Sequence, residues 1–132
     1  MTFDAEQYKK VERQAYSMGA TSYDQHGREI FRAYAQPLMD GAGLRPGQHV
    51  LDVACGLGTA SLLAAPLVSP DGDVVGVDLA PGVVELARRK AEQARHLNIT
   101  FREADAENRY EAMMRIAYLS DVGNRRKAFA LR

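Results

Sequence analysis

The sequence contains a single cysteine, no tryptophan and no excess of either charge. One cysteine cannot form a disulfide within the chain, and Cys55 adjoins a glycine, where a small apolar residue suits a turn. Seventeen basic and seventeen acidic side chains cancel, so no broad electrostatic attraction draws the chain to nucleic acid. No cluster of cysteine and histidine suggests a metal site. These absences argue against a disulfide-stabilised domain, a nucleic-acid-binding protein and a metalloprotein.

Long apolar runs are also missing. The most apolar stretch, residues 50–68, is interrupted by Asp52, two glycines and Pro66, which favours a buried strand, turn and helix over a membrane span. Residues 1–6 lack the basic region and apolar core of a signal peptide. We therefore expect a cytoplasmic protein with one core, since 132 residues at 46% hydrophobic content suffice for a single domain.

A strand that ends in a carboxylate and continues into two glycines is the most informative feature. Residues 49–60 have the sequence HVLDVACGLGTA. Because glycine adopts positive φ and has no Cβ, the backbone at Gly56 and Gly58 can turn sharply and lie against a ligand. Free N–H groups at the start of the following helix would then face that ligand. The pattern predicts a turn that binds a small molecule.

Two ligand classes use such a turn, and the residues around the glycines help to separate them. Dinucleotide sites have the pattern G-x-G-x-x-G, whereas Thr59, Ala60 and Ser61 follow the second glycine here. The carboxylate of Asp52 would be repelled by a pyrophosphate but attracted by a cation. The D-x-A-C-G-x-G pattern resembles motif I of the class I S-adenosylmethionine-dependent methyltransferases, and is similar to the small-molecule enzymes of quinone biosynthesis. Their cofactor carries an ammonium and a sulfonium.

Two further short apolar strands are followed by carboxylates. Residues 73–78 are rich in β-branched side chains and end in Asp78, twenty positions after Gly58. An acid at that distance, at the end of the second strand of a βαβ unit, accepts hydrogen bonds from ribose hydroxyls. The resemblance implies that Leu79 packs on the adenine. It also implies that Asp105, after a third strand within residues 98–106, accepts from the adenine amino group.

The resemblance thus implies a cofactor-binding set of eight residues: Asp52, Ala54, Gly56, Gly58, Asp78, Leu79, Asp105 and Ala106. Each member alone has a simpler explanation. Two glycines one residue apart occur in many turns, and either later aspartate could cap the helix that follows it. Their joint occurrence, with strand and helix patterns of suitable length between them, favours the cofactor site.

The fold implied is α/β, a Rossmann-like doubly wound parallel sheet with an N-terminal helical cap. In residues 1–45 the apolar spacing predicts two cap helices, one from Asp4 to about Met18 and one from about Gly27 to Gly41. The resemblance implies that residues 46–106 form the donor-binding core. Within it, Leu62, Leu63 and Leu67 are predicted to pack the helix after the glycine turn on the sheet.

The sequence departs from the family in residues 107–132. Tyr110–Glu111 are the nearest counterpart of the family's fourth-strand opening, and residues 117–121 and 125–131 weakly resemble the loop and helix after that strand. The family's fifth strand and final hairpin have no counterpart. We expect the first strand to lie near an open edge, covered by residues 113–119 or by a second copy of the chain, or left exposed in an unstable fragment.

Methyl transfer is an in-line displacement at the sulfonium methyl, which requires positioning and exclusion of water but no protein nucleophile. The resemblance implies transfer to a small apolar or amphipathic acceptor, which the sequence does not identify. Two alternatives are a non-catalytic protein that binds the donor and a nicotinamide-dependent oxidoreductase, the second disfavoured by Asp52 and the absent third glycine. Tyr23 and His26 lie in the cap, and neither is assigned as a general base.

Overall fold

The computed structural model describes residues 4–108 and 128–131 of the chain. Three helices and four strands occur in these residues: α1 (Ala5–Ala42), β1 (His49–Val53), α2 (Thr59–Val68), β2 (Asp73–Asp78), α3 (Pro81–Gln93), β3 (Ile99–Glu103) and β4 (Ala128–Leu131). The strands form one parallel sheet in the order β3-β2-β1-β4. This alternation of strands and helices confirms the predicted Rossmann-like sheet.

The strand register brings the functional part of the sequence to one edge of the sheet. Val53 at the end of β1 is level with Val77, and Asp78 at the end of β2 is level with Glu103. The carboxyl ends of β1, β2 and β3 therefore meet. Ligands of open α/β sheets bind at this edge, close to the strand at which the order of the strands reverses.

Small side chains allow α2 to pack closely on the sheet. Its buried residues recur at one-turn spacing and are Ser61, Ala64, Ala65 and Val68. The predicted contact of Leu67 is wrong, because this side chain lies off that face and is 42% exposed. Leu62 and Leu63 are half-buried and pack against the edges of the core.

The two predicted cap helices are one continuous helix of 38 residues. Asp4 caps it by accepting hydrogen bonds from the backbone N–H groups of Glu6 and Gln7, and it ends at Gly43 in the left-handed conformation, with φ +59°. The residues between the two predicted helices remain helical because this part of α1 packs against α3, where Ala20 and Asp24 are buried. Among the described helices, none combines the length and the apolarity needed to cross a bilayer.

A fourth strand pairs with β1 on the side where the sequence analysis expects an open edge. Residues 128–131 pair in parallel with His49, Val50, Leu51 and Asp52. The expected open edge is therefore wrong, and so is the predicted helix at residues 128–131. The proposed cover at residues 113–119 lies outside the described residues. With β4 in place, β1 has a parallel neighbour on both sides, as a strand buried in a doubly wound sheet requires.

An ion pair connects α1 and α3. The buried carboxylate of Asp24 accepts from the ammonium of Lys90 and, at 2.8 Å, from the guanidinium of Arg28. Burial alone would raise the pKa of Asp24, but the hydrogen bonds from Arg28 and Lys90 outweigh it and hold that pKa below its usual range. The ionised pair therefore stabilises the helical cap on the core at neutral pH.

Replacing Lys90 by Met should lower the free energy of unfolding by about 1–3 kcal/mol at pH 7, because a buried carboxylate loses a donor. An aspartate with a depressed pKa stabilises the fold above its ordinary pKa of about 3.9 and loses this contribution as the pH falls. The difference from wild type should therefore shrink below about pH 4. Denaturant unfolding at pH 7 and below about pH 4 measures this difference in the free energy of unfolding. The control is Arg89→Met, which removes an exposed pair with Glu85 and should cost less than about 0.5 kcal/mol.

Candidate functional site

The glycine turn between β1 and α2 is held by backbone hydrogen bonds. The N–H of Cys55 donates to the carbonyl of Val77 at 2.9 Å, and the N–H of Gly58 donates to the carbonyl of Cys55 at 2.9 Å. Three residues of the turn have left-handed backbone conformations: Ala54 (φ +57°), Gly56 (φ +54°) and Gly58 (φ +77°). An alanine in this conformation is strained, and such strain concentrates at binding sites.

Asp78 joins the glycine turn to the loop after β2. One carboxylate oxygen accepts from the N–H of Gly56 at 2.9 Å, and the other accepts from the N–H of Ala80 at 3.0 Å. Each carboxylate oxygen can accept more than one hydrogen bond, so the group retains capacity for hydroxyl donors of a ligand. The side chain is half-buried at the carboxyl end of the sheet. The alternative in which Asp78 caps α3 is not what the structure shows, because Ala80 occupies the cap position.

The two glycines of the turn have different environments. A Cβ on Gly58 would lie 2.5 Å from the ring of Phe101 and 3.3 Å from the Cβ of Ala87, so the core itself requires glycine there. A Cβ on Gly56 would have no neighbour within 4 Å. Gly56 therefore faces open space, where a ligand can approach the backbone, whereas Gly58 is primarily a packing residue.

Asp52 is buried beneath the turn with 5% of its surface exposed. The hydroxyl of the fully buried Ser61 donates to its carboxylate at 2.6 Å. Burial raises the pKa of Asp52, the Ser61 hydrogen bond opposes that rise, and the negative charge of Asp78 adds to it. Burial likewise raises the pKa of the Cys55 thiol, which keeps it neutral and agrees with a packing role.

Two adjoining cavities lie over this edge. The first, the Asp78 cavity, has a volume of about 350 Å³ and is lined by Glu12, Arg13, Tyr16, Tyr23, Ala54, Gly56, Asp78, Leu79, Ala80 and Val83. The second, the Asp52 cavity, has a volume of about 320 Å³ and is lined by Tyr23, Phe31, Tyr34, Ala35, Leu38, Asp52, Val53, Ala54, Cys55, Gly56, Leu57, Thr59 and Ala60. Helix α1 forms one wall of both cavities, and the opposite wall is formed by the glycine turn, joined in the Asp78 cavity by residues 78–83.

The last two predicted residues lie apart from these cavities. Asp105 borders a wider groove of about 790 Å³, which meets the Asp78 cavity at Leu79 and Arg13. Its carboxylate accepts from the ammonium of Lys9 at 2.8 Å and from the N–H of Glu107 at 2.9 Å. The Lys9 hydrogen bond lowers the pKa of Asp105, so the group is ionised. Ala106 is exposed.

The structure thus groups five of the eight predicted residues around two cavities, namely Asp52, Ala54, Gly56, Asp78 and Leu79. It also brings together aromatic residues of α1, of which the sequence analysis named only Tyr23, as a residue of the cap without an assigned role. Tyr16, Tyr23 and Phe31 recur every seven or eight residues, which places them on one face of a continuous helix. That signal was hidden because the predicted helices were separated within this stretch. Among the described residues no group of His, Cys, Asp and Glu could hold a metal ion.

Several known proteins are similar in sequence to this chain. The family described as "Methyltransferase domain" matches residues 44–115, more than half of the chain. Aklanonic acid methyltransferase DauC of Streptomyces sp. (strain C5) is 38% identical over 100 residues, which cover 76% of this chain and 46% of that protein. Demethylmenaquinone methyltransferase of Symbiobacterium thermophilum is 56% identical over 46 residues, which cover 35% of this chain and 18% of the relative.

A solved structure shows the same fold at low sequence identity. A SAM-dependent methyltransferase from Aquifex aeolicus superposes with a TM-score of 0.56 at 21% identity, covering 67% of this chain and 47% of that one. The chain spans less than half the length of the curated relatives described above. The comparisons therefore concern only a part of those proteins.

Substituting the two glycines one at a time should distinguish the packing role of Gly58 from the open environment of Gly56. Gly58→Ala should lower the free energy of unfolding by about 2–4 kcal/mol, through overlap with Phe101 and a strained left-handed alanine. Gly56→Ala introduces only the backbone strain and should cost about 1–2 kcal/mol. Denaturant unfolding without ligand measures both. Equal losses in the two variants would contradict the packing role of Gly58.

Proposed function

The chain belongs to the methyltransferase-domain family that matches residues 44–115, and from this membership we propose that it binds S-adenosylmethionine and transfers its methyl group to a small molecule. One observation carries the proposal. Two carboxylates, Asp78 and Asp52, lie in adjoining cavities on either side of an open glycine backbone. A ligand with hydroxyls at one end and positive charge at the other is complementary to that arrangement.

The residues present fit the donor in chemistry and in size. Asp78 is a carboxylate with unused acceptor capacity, suited to ribose hydroxyls. Leu79 lines the same cavity and supplies an apolar surface for the adenine. Asp52 is the negative group of the neighbouring cavity, suited to the ammonium of the methionine portion. Together the two cavities have the few hundred Å³ typical of cofactor sites.

The donor supplies an activated methyl group, so the protein has to orient the two reactants and exclude water. The Gly56 backbone and α1 enclose the site from opposite sides. Tyr23, Phe31 and Leu38 from α1 make the Asp52 cavity largely apolar, which supports an apolar or amphipathic acceptor beside the donor. The names of the relatives, which include an aklanonic acid methyltransferase and a demethylmenaquinone methyltransferase, support an acceptor of this class.

Calorimetric titration tests the proposed ligand class. We expect S-adenosylmethionine and its product S-adenosylhomocysteine to bind, and reduced nicotinamide adenine dinucleotide to give no heat, because Asp52 repels a pyrophosphate. A transfer assay with methyl-labelled donor and a panel of phenols, quinols and carboxylic acids then tests catalysis. Binding without transfer would indicate a non-catalytic donor-binding protein, and preferential binding of the nicotinamide cofactor would refute the proposal.

Asp78→Ala should weaken S-adenosylhomocysteine binding about ten- to a hundredfold, because charge-assisted hydrogen bonds contribute about 1.5–3 kcal/mol. The substitution also removes the acceptor of Gly56 and Ala80, so the unfolding free energy of the unliganded variant is measured in parallel. Asp71→Ala, an exposed aspartate in the turn before β2, is the matched control and should bind like wild type. Unchanged affinity in Asp78→Ala would contradict the assignment of the ribose.

A further inference from the structure

The two cavities meet at a passage bounded by only three of the residues that line them. Tyr23, Ala54 and Gly56 line both cavities, whereas each of their other lining residues lines only one of these two cavities. Ala54 and Gly56 are part of the glycine turn, and Tyr23 projects from α1 on the opposite side. A ligand that extends from one cavity to the other must therefore pass between the backbone of the turn and the Tyr23 side chain.

The chemistry of the donor determines which of its atoms would lie in this passage. If the ribose binds Asp78 and the ammonium lies towards Asp52, the sulfur that connects the two portions lies between the cavities. In the methyl donor this sulfur is a sulfonium and carries a positive charge. In the demethylated product it is a neutral thioether. In this orientation, the difference in charge between the methyl donor and its product lies in the passage.

Tyr23 presents an aromatic ring at this point, and its neighbours hold the ring in place. The ring of Tyr16 packs edge-on against the ring of Tyr23, with centroids 5.9 Å apart. The ring of Phe31 is tilted against the ring of Tyr23, with centroids 4.8 Å apart. Side chains packed in this way lose less conformational freedom on binding. A cation against an aromatic face within about 6 Å is attracted by the ring quadrupole.

We infer that the ring of Tyr23 receives the sulfonium of the donor and makes the site favour the charged methyl donor over the neutral product. This inference rests on the proposed function and extends it, because it assigns a specificity-determining residue to that same site. The role needs the ring, not the hydroxyl. Burial, Tyr16 and the negative charge of Asp78 raise the pKa of the Tyr23 hydroxyl, so it remains protonated and is a poor general base.

The decisive quantity is the ratio of the affinities for S-adenosylmethionine and S-adenosylhomocysteine, measured by calorimetry on each variant. Tyr23→Leu should reduce the preference for the charged ligand about three- to thirtyfold. Tyr23→Phe retains the ring and should keep the wild-type ratio. A general disturbance of the site would weaken both ligands together and leave the ratio unchanged, so the ratio distinguishes recognition of charge from loss of structure.

Two matched controls lie on the same helix. Tyr8→Leu alters an exposed tyrosine that lines neither cavity, and Tyr16→Leu alters one that lines only the Asp78 cavity. Tyr8→Leu should leave the ratio at the wild-type value, and Tyr16→Leu should change it less than Tyr23→Leu does. An unchanged ratio in Tyr23→Leu would overturn the inference while leaving the proposed function intact. Failure of the wild-type chain to bind either ligand would instead refute the proposed function.

Discussion

The carboxylate of Asp78 is the constraint on which the site depends. It accepts the N–H of Gly56 from one loop and the N–H of Ala80 from the next, so the ends of β1 and β2 have a common anchor. This arrangement leaves the Gly56 backbone facing open space at a fixed distance from the carboxylate. In the proposed complex Asp78 both holds the turn and receives the ligand, so binding would stabilise the conformation of the turn that binds it.

The central part of the fold could be predicted because its signals are local. Short apolar runs with an aspartate at or next to their end, at residues 49–53 and 73–78, determined the strands, and the glycine turn after the first run indicated the edge proposed for the ligand. The single helix α1 could not be predicted, because Gly19 and Gly27 disfavour helix locally. Contacts with α3, including the Asp24–Lys90 ion pair, outweigh that preference. Strand β4 was missed because it completes the sheet only through pairing with distant β1.

The candidate site was predicted only where the sequence position determines the environment. Asp52 and Asp78 lie next to or at the end of their strands and Gly56 lies in the turn after β1, so their sequence positions bring them to one edge of the sheet. Gly58 belongs to the same motif, yet its requirement for glycine arises from Phe101, which is 43 positions later and can be identified only in the folded chain. The partner of Asp105 is Lys9, 96 positions earlier, so spacing along the sequence could not indicate it. The grouping of Tyr16, Tyr23 and Phe31 beside the cavities could not be predicted either, because it requires α1 to be one continuous helix.

The most direct test of the account is to observe which backbone amides respond to the cofactor. In two-dimensional ¹H–¹⁵N spectra of the labelled chain, titration with S-adenosylhomocysteine should shift the amides of Gly56 and Ala80, which share the Asp78 carboxylate. The amides of Gln93 and Ala94, which border a separate groove between α1, α2 and α3, should remain in place. Shifts confined to that groove, or the absence of shifts at Gly56 and Ala80 with saturating ligand, would contradict the account.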